Sequence, residues 1–179
     1  PATTFVGGFV GSPPMNFIDG QGRWTGFDVE LGDELGKRLG LRVERVAVNN
    51  KTRIAFLANG QIDLALSNIS RTLGREEQVD FVDPPYLFTA KVFYAKKGRF
   101  KSLAELGGKR IGVNQGSNAF TAAPQELARH SKLAPQMVAF QKNAECFLAL
   151  KQGKIDAFTQ VRDALDHAGV ADLALCGHG

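Results

Sequence analysis

A stretch rich in hydrogen-bonding groups follows directly on the apolar run Ile62 to Leu66. It contains Ser67, Asn68, Ser70, Arg71, Thr72 and Arg75. The apolar run reads as a strand ending near Ser67, so these hydroxyls, an amide and two guanidinia leave its carboxyl end, the face on which α/β sheets receive ligands. A guanidinium presents a planar fork of donors that matches a carboxylate, and Ser70 adds a neutral donor. The plainer alternative is a polar loop whose Ser and Thr cap the next helix. The number of short polar neighbours around Arg75 favours carboxylate recognition.

A second polar loop, Asn114-Gln115-Gly116-Ser117-Asn118, follows the strand expected over Arg110 to Val113 and precedes a helix. Free backbone amides at that helix start suit an anion; ordinary capping by Ser117 or Asn118 is the alternative. The loop lacks the G-K-[ST] of a nucleotide-phosphate loop. Catalysis finds little support: His130, His167 and His178 form no His-x-x-x-His or Glu-x-x-His pair, and no serine occupies a nucleophile elbow. Each reads as a surface histidine. No cofactor motif is present, and Cys176 with His178 is only an adventitious metal pair.

The elements that must position these loops alternate between apolar runs and helix-period segments ending at glycine, the pattern of β-α-β units around a mostly parallel sheet. Phe5 to Val10, Leu41 to Val48 and Ile62 to Ser67 are expected strands. A helix from Asp28, its expected N-cap, to Leu39 shows Leu31, Leu35 and Leu39 at four-residue spacing, and a short helix runs from Thr52 to Asn59. The second half expects strands at Lys91 to Ala95, Arg110 to Val113, Gln136 to Phe140 and Ile155 to Phe158. Its helices are opened by Ser102 with Glu105 in capping-box register, then run from Ala119 to His130 and Ala144 to Gln152. Leu57, Gly60, Ile62 and Asp63 echo in Leu150, Gly153, Ile155 and Asp156, both as L-x-x-G-x-I-D. Asp83-Pro84-Pro85-Tyr86 interrupts the pattern, which divides the chain into a lobe over residues 1–88 and another over 89–179.

Composition agrees with a folded α/β protein: 179 residues, 44% hydrophobic, and apolar stretches far too short to span a bilayer. No basic-then-apolar leader precedes Pro1, so the chain reads as a mature soluble protein with its signal peptide removed. A net charge of +4 suits an anionic partner, but the basic residues are scattered, and the stripe expected of a nucleic-acid binder is missing. Cys146 and Cys176 have no zinc spacing and are read either as free thiols or as one disulfide.

Several blocks together carry a family resemblance: Gly22 to Asp28 (GRWTGFD), Leu57 to Leu64 (LANGQIDL), Ser67 to Tyr86 (SNISRTLGREEQVDFVDPPY), Leu103 to Ser117 (LAELGGKRIGVNQGS) and Leu150 to Phe158 (LKQGKIDAF). In this order they resemble the extracytoplasmic solute-binding proteins of polar amino-acid ABC transporters, the type II periplasmic binding proteins. The resemblance implies two Rossmann-like α/β lobes with a ligand cleft between them, a periplasmic or extracytoplasmic location, and delivery of a small amino acid or related carboxylate to a membrane permease. It also implies roles. Arg75 grips the ligand's α-carboxylate, aided by Ser70, Ser117 and Asn118, while Asn68 offers a backbone carbonyl to the ammonium. Asn50 and Arg53, within Asn50 to Ile54 (NKTRI), resemble the acidic-amino-acid subgroup, where the arginine binds a side-chain carboxylate.

Two departures stand against the pattern. Val161 occupies the place of an aspartate that pairs with the ligand ammonium, with Asp163 as a substitute if the register shifts. The chain also stops at Gly179, where relatives continue and return to the first lobe. The expectation is therefore a C-terminally incomplete fold, with oligomerisation or strand exchange as cover for exposed strand edges. Two other functions are weighed beside transport binding: a degenerate or sensor-type protein with a protein partner, and an enzyme of the cyclohexadienyl-dehydratase type.

Overall fold

The computed structural model describes residues 3–161 and 173–176. Contacts divide the chain into two compact units, Pro1–Leu87 and Phe88–Gly179.

Unit 1 is built on a parallel three-stranded sheet in the order β4-β1-β5, with β1 over Thr4–Phe9, β4 over Arg42–Ala47 and β5 over Leu64–Ala65. A small antiparallel pair, β2 (Phe17–Ile18) and β3 (Trp24–Thr25), leads into helix α1, Phe27–Leu39. Helix α2 spans Arg53–Ala58, and α3 is a single turn at Leu73–Glu76. Of the leucines at four-residue spacing in α1, Leu31 packs against the core and Leu35 is half-buried, but Leu39 is exposed, and the fully buried positions are Asp28, Val29, Gly32 and Gly36. A Cβ on Gly36 would lie 2.6 Å from Val43 Cγ2 and 2.8 Å from the Leu41 carbonyl oxygen. The helix packs through its glycines because only a bare backbone fits so close to β4. Val29 joins Phe9 and Leu66 in the core, with Trp24 tilted against Phe9.

Unit 2 carries a five-stranded sheet in the order β10-β6-β9-β7-β8. Its strands are β6 (Lys91–Lys96), β7 (Arg110–Asn114), β8 (Gln136–Phe140), β9 (Ala157–Val161) and β10 (Leu173–Cys176). Strands β7, β8 and β9 run parallel, whereas β6 pairs antiparallel with both β9 and β10. Alternation along β6 explains the two layers of core. Val92 and Tyr94 face a cluster with Leu150 and Phe158 beside helix α5 (Asn143–Lys151). Phe93 and Ala95 face the opposite cluster with Leu127 and Ala123 of helix α4 (Ala119–Ala128). The helix expected after Ser102 is one 3-10 turn, Leu103–Leu106, and the Glu105 carboxylate accepts from the Lys101 N–H at 3.1 Å instead of closing a capping box on Ser102.

The L-x-x-G-x-I-D echo is a structural repeat. Gly60 and Gly153 turn with φ of 70° and 71°, a left-handed conformation that favours glycine. Asp63 then accepts from the Val6 N–H at 2.8 Å, as Asp156 accepts from the Arg110 N–H at 3.0 Å. In both units the aspartate clasps the backbone of the neighbouring strand, and the isoleucine before it is buried.

Candidate functional site

Three carboxyl ends of the unit 1 sheet lie side by side, and each opens into a loop with polar side chains. After β4 the Asn49 side chain accepts from the Lys51 and Thr52 N–H groups at 2.9 and 3.0 Å and fixes the turn holding half-buried Asn50. That turn starts α2 and aims Arg53 inward. Arg53 is 3% exposed; its Nη1 donates to the Ser67 carbonyl at 2.7 Å, and its Nε has no partner among the described residues. The Ser67 hydroxyl, equally buried, also lacks one.

After β5 the chain passes through Ser67, Asn68 and Ser70 before α3. Asn68 has φ 48°, a left-handed conformation that asparagine tolerates better than most residues. Arg75, half-buried at the end of α3, donates from Nη1 to the Ser70 carbonyl at 2.7 Å. The loop carbonyls of Ser67 and Ser70 therefore hold the two guanidinia, and the guanidinia feel each other. Burial, then repulsion from Arg75, lowers Arg53 to about 10, and burial lowers Arg75 as well. Arg71 does not join them: it is exposed and paired with Glu76 at 2.5 Å and Asp83 at 2.7 Å. Arg53 makes no ion pair among the described residues. Two cations and two unpartnered buried donors in one place suit an anion, a carboxylate above all.

The expected N-cap role of Asp28 is not what the structure shows. Gly26 occupies that place, with φ 113°, and Asp28 is fully buried. Its Oδ2 accepts from Asn16 Nδ2 at 2.6 Å and its Oδ1 from the Tyr86 hydroxyl at 2.8 Å. Burial raises its carboxyl above the ordinary range, and the hydrogen bonds only partly offset this. Asn16 and Tyr86 were not singled out from the sequence, although both Asp28 and Tyr86 lie in the blocks that carry the resemblance.

Ser117 and Asn118 stand in unit 2 at the start of α4. The Ser117 hydroxyl donates to the Asn114 carbonyl at 2.8 Å, and Asn118 is the N-cap residue without a side-chain capping bond. Asn114 is engaged inward, donating to Asn143 Oδ1 at 2.5 Å, and that oxygen also accepts from Gln160. Val161 closes β9 opposite Lys91. Asp163, His167 and His178 lie outside the described residues, as does the side chain of Cys176. Cys146 is a buried free thiol that burial pushes up to about 12. His130 is exposed beside Glu126. Among the described residues there is no metal-ligating cluster and no helix long and apolar enough to cross a membrane.

Sheets with parallel strands flanked by helices, and polar loops at the carboxyl ends of those strands, have the α/β architecture of the type II periplasmic class. The profile of the bacterial extracellular solute-binding proteins, family 3, matches residues 6–125, and the chain belongs to that family. Its extracytoplasmic setting follows from that membership. Among curated relatives, the glutamine-binding protein of Geobacillus stearothermophilus is 31% identical over 144 residues, 77% of this chain and 52% of the relative. The lysine/arginine/ornithine-binding periplasmic protein of Escherichia coli is 30% identical over 161 residues, 89% of this chain and 61% of the relative. The chain thus spans between about half and three fifths of the length of such relatives. An ancestral arginine-binding protein bound to arginine superposes with a TM-score of 0.87 at 30% identity, covering 98% of this chain and 79% of that one. An ancestral amino acid-binding protein described as a precursor of cyclohexadienyl dehydratase superposes equally well, at 27% identity over 99% and 78%.

Proposed function

We propose that this chain binds a small amino acid or related carboxylate, with Arg75 as the α-carboxylate anchor and Arg53 as a second cationic contact, and that in its transport system it delivers the ligand to an ABC permease. One observation carries the reading. Arg53 is buried beside a like charge with an unpartnered Nε, next to a Ser67 hydroxyl in the same condition. An arrangement that is unfavourable when empty becomes favourable when an anion supplies charge and acceptors. Ser70, whose carbonyl holds Arg75, and Asn68, Asn50, Ser117 and Asn118 are the further ligand contacts that the family resemblance implies.

Two cations favour a ligand with two carboxylates, so glutamate, aspartate or 2-oxoglutarate fits the arrangement better than arginine or histidine. The relatives named above bind glutamine and basic amino acids, so the side-chain preference rests on Arg53 and not on them. The relatives carrying binding-protein names also favour binding over turnover.

Thermal melting with glutamate, aspartate, 2-oxoglutarate, glutamine, arginine, histidine and prephenate tests the reading, because a ligand of the native state alone raises the melting temperature. The largest rise is expected with a dicarboxylate. A larger rise with arginine or histidine would refute the acidic preference. Conversion of prephenate would favour the enzyme, and no rise with any compound would favour a degenerate protein with a macromolecular partner.

A further inference from the structure

Asp28 belongs to no ligand contact assigned above, yet it is the most enclosed charged group in unit 1 and sits in the middle of the loops that carry the arginines. We infer that Asp28 is a positioning residue: its carboxylate ties the loop after β1, the Tyr86 segment and the Asn68 turn together, and so sets the geometry in which Arg53 and Arg75 meet a ligand. The inference rests on the binding function proposed for those arginines.

Hydrogen bonds fix the direction of the links from Asn16 and Tyr86 to Asp28. Asn16 Oδ1 accepts from the Val10 and Gly11 N–H groups at 2.9 and 2.8 Å, so the amide has one orientation and its Nδ2 must donate to Asp28. The Tyr86 hydroxyl donates to the other carboxylate oxygen, and the Tyr86 ring stacks on Phe27 with centroids 5.8 Å apart. The Asn68 backbone amide favours the ionised form of both Asp28 and Tyr86. Asn68 follows Ser67, whose carbonyl holds Arg53, and precedes Ser70, whose carbonyl holds Arg75. A left-handed residue at such a point persists only where its surroundings enforce it. An ionised carboxylate, which only accepts, suits these donors; an amide or a carboxylic acid would present one of them with a hydrogen.

The test is Asp28→Asn in the full chain, with the exchange rate of the Asn68 amide, the melting temperature, and the affinities for L-glutamate and 2-oxoglutarate all measured. Expected are at least tenfold faster Asn68 exchange and at least tenfold weaker binding at neutral pH. A second signature is the acid limb of binding. Tyr86 touches Asp28 directly, and Arg53 of α2 acts on Tyr86. With that set unchanged, wild-type affinity should fade on acidification above the range of an ordinary carboxylate, and the variant should lack that limb. Should Asp28→Asn not fold, Tyr86→Phe takes its place: it removes one donor, and several-fold faster Asn68 exchange with several-fold weaker binding is expected. Unchanged Asn68 exchange and affinity within twofold, in whichever variant folds, would overturn the inference. If the wild type binds neither compound, the proposed function fails by itself, while Asn68 exchange still decides the role of Asp28.

Discussion

Arg75 and Arg53 differ in what their removal should do. Arg75→Ala is expected to weaken a carboxylate ligand by about 2 to 5 kcal/mol, since a charge-assisted pair is lost, and Arg75→Lys should restore little because an ammonium lacks the planar fork. Calorimetry showing Arg75→Ala within twofold of the wild type would remove Arg75 from the site. Arg53 carries a cost in the empty protein. Burial lowers its folded value to about 10, so below about pH 10 the native state disfavours its charged form, and that penalty is lifted only as the pH rises through this value toward the ordinary range of a guanidinium. At neutral pH the penalty is present in full, on the order of 1 to 3 kcal/mol. Arg53→Met loses the bond to the Ser67 carbonyl, worth about 1 kcal/mol, and sheds the penalty. The ligand-free variant should therefore be more stable by roughly 1 kcal/mol, while glutamate and 2-oxoglutarate bind more than tenfold more weakly. A clear loss of stability in denaturant would contradict this account. Arg75 was singled out by its short polar neighbours at a strand end and Arg53 by the family resemblance, while Arg71 in the same stretch shows that a guanidinium among such residues also serves as a surface ion pair. Asp28 was not singled out: an aspartate at the start of a helix has the local features of a cap, and only the fold brings Asn16 and Tyr86, which is 58 residues away in sequence, to its two oxygens.

Among the elements, the junction of β3 and α1 has the least room for change. Gly26 has φ 113°, and a Cβ there would stand 2.6 Å from the carbonyl oxygens of both Pro14 and Met15. Those same carbonyls accept from Phe27 and Asp28. Gly26→Ala combines an unfavourable backbone with a clash against backbone atoms that cannot move without breaking these bonds, so a loss of about 2 to 4 kcal/mol is expected in chemical denaturation. A loss under 1 kcal/mol would mean that the hairpin relaxes freely. The element plan itself was readable from apolar runs and glycine stops, down to the full extent of β8. Three features escaped for a common reason. The glycine face of α1, the two-residue length of β5 and the antiparallel placement of β6 all depend on which strand lies next to which, information that local periodicity does not contain. The L-x-x-G-x-I-D echo shows the converse. A short sequence match that shared α/β grammar could have produced by chance proves to be the same turn, buried isoleucine and aspartate clasp in both units.

At the scale of the whole molecule, the ligand's ammonium group decides which compounds the protein should prefer. The family resemblance places an acidic partner for it at position 161, where this chain has valine. A valine side chain offers no acceptor, so burying an ammonium against it would go uncompensated at a cost of several kcal/mol. The cationic pair Arg53 and Arg75 still favours carboxylates. Together these terms predict that the wild type discriminates poorly between glutamate and 2-oxoglutarate, or prefers the keto acid. Val161→Asp should reverse the order by giving the ammonium a charge-assisted hydrogen bond, improving glutamate by roughly 1 to 3 kcal/mol and weakening 2-oxoglutarate through repulsion. Titration of both compounds into both proteins is the measurement. A strong glutamate preference with Val161 in place would show that another group, Asp163 being the nearest acidic residue in sequence, already receives the ammonium. Val161→Asp without effect on either compound would place position 161 away from the ligand altogether.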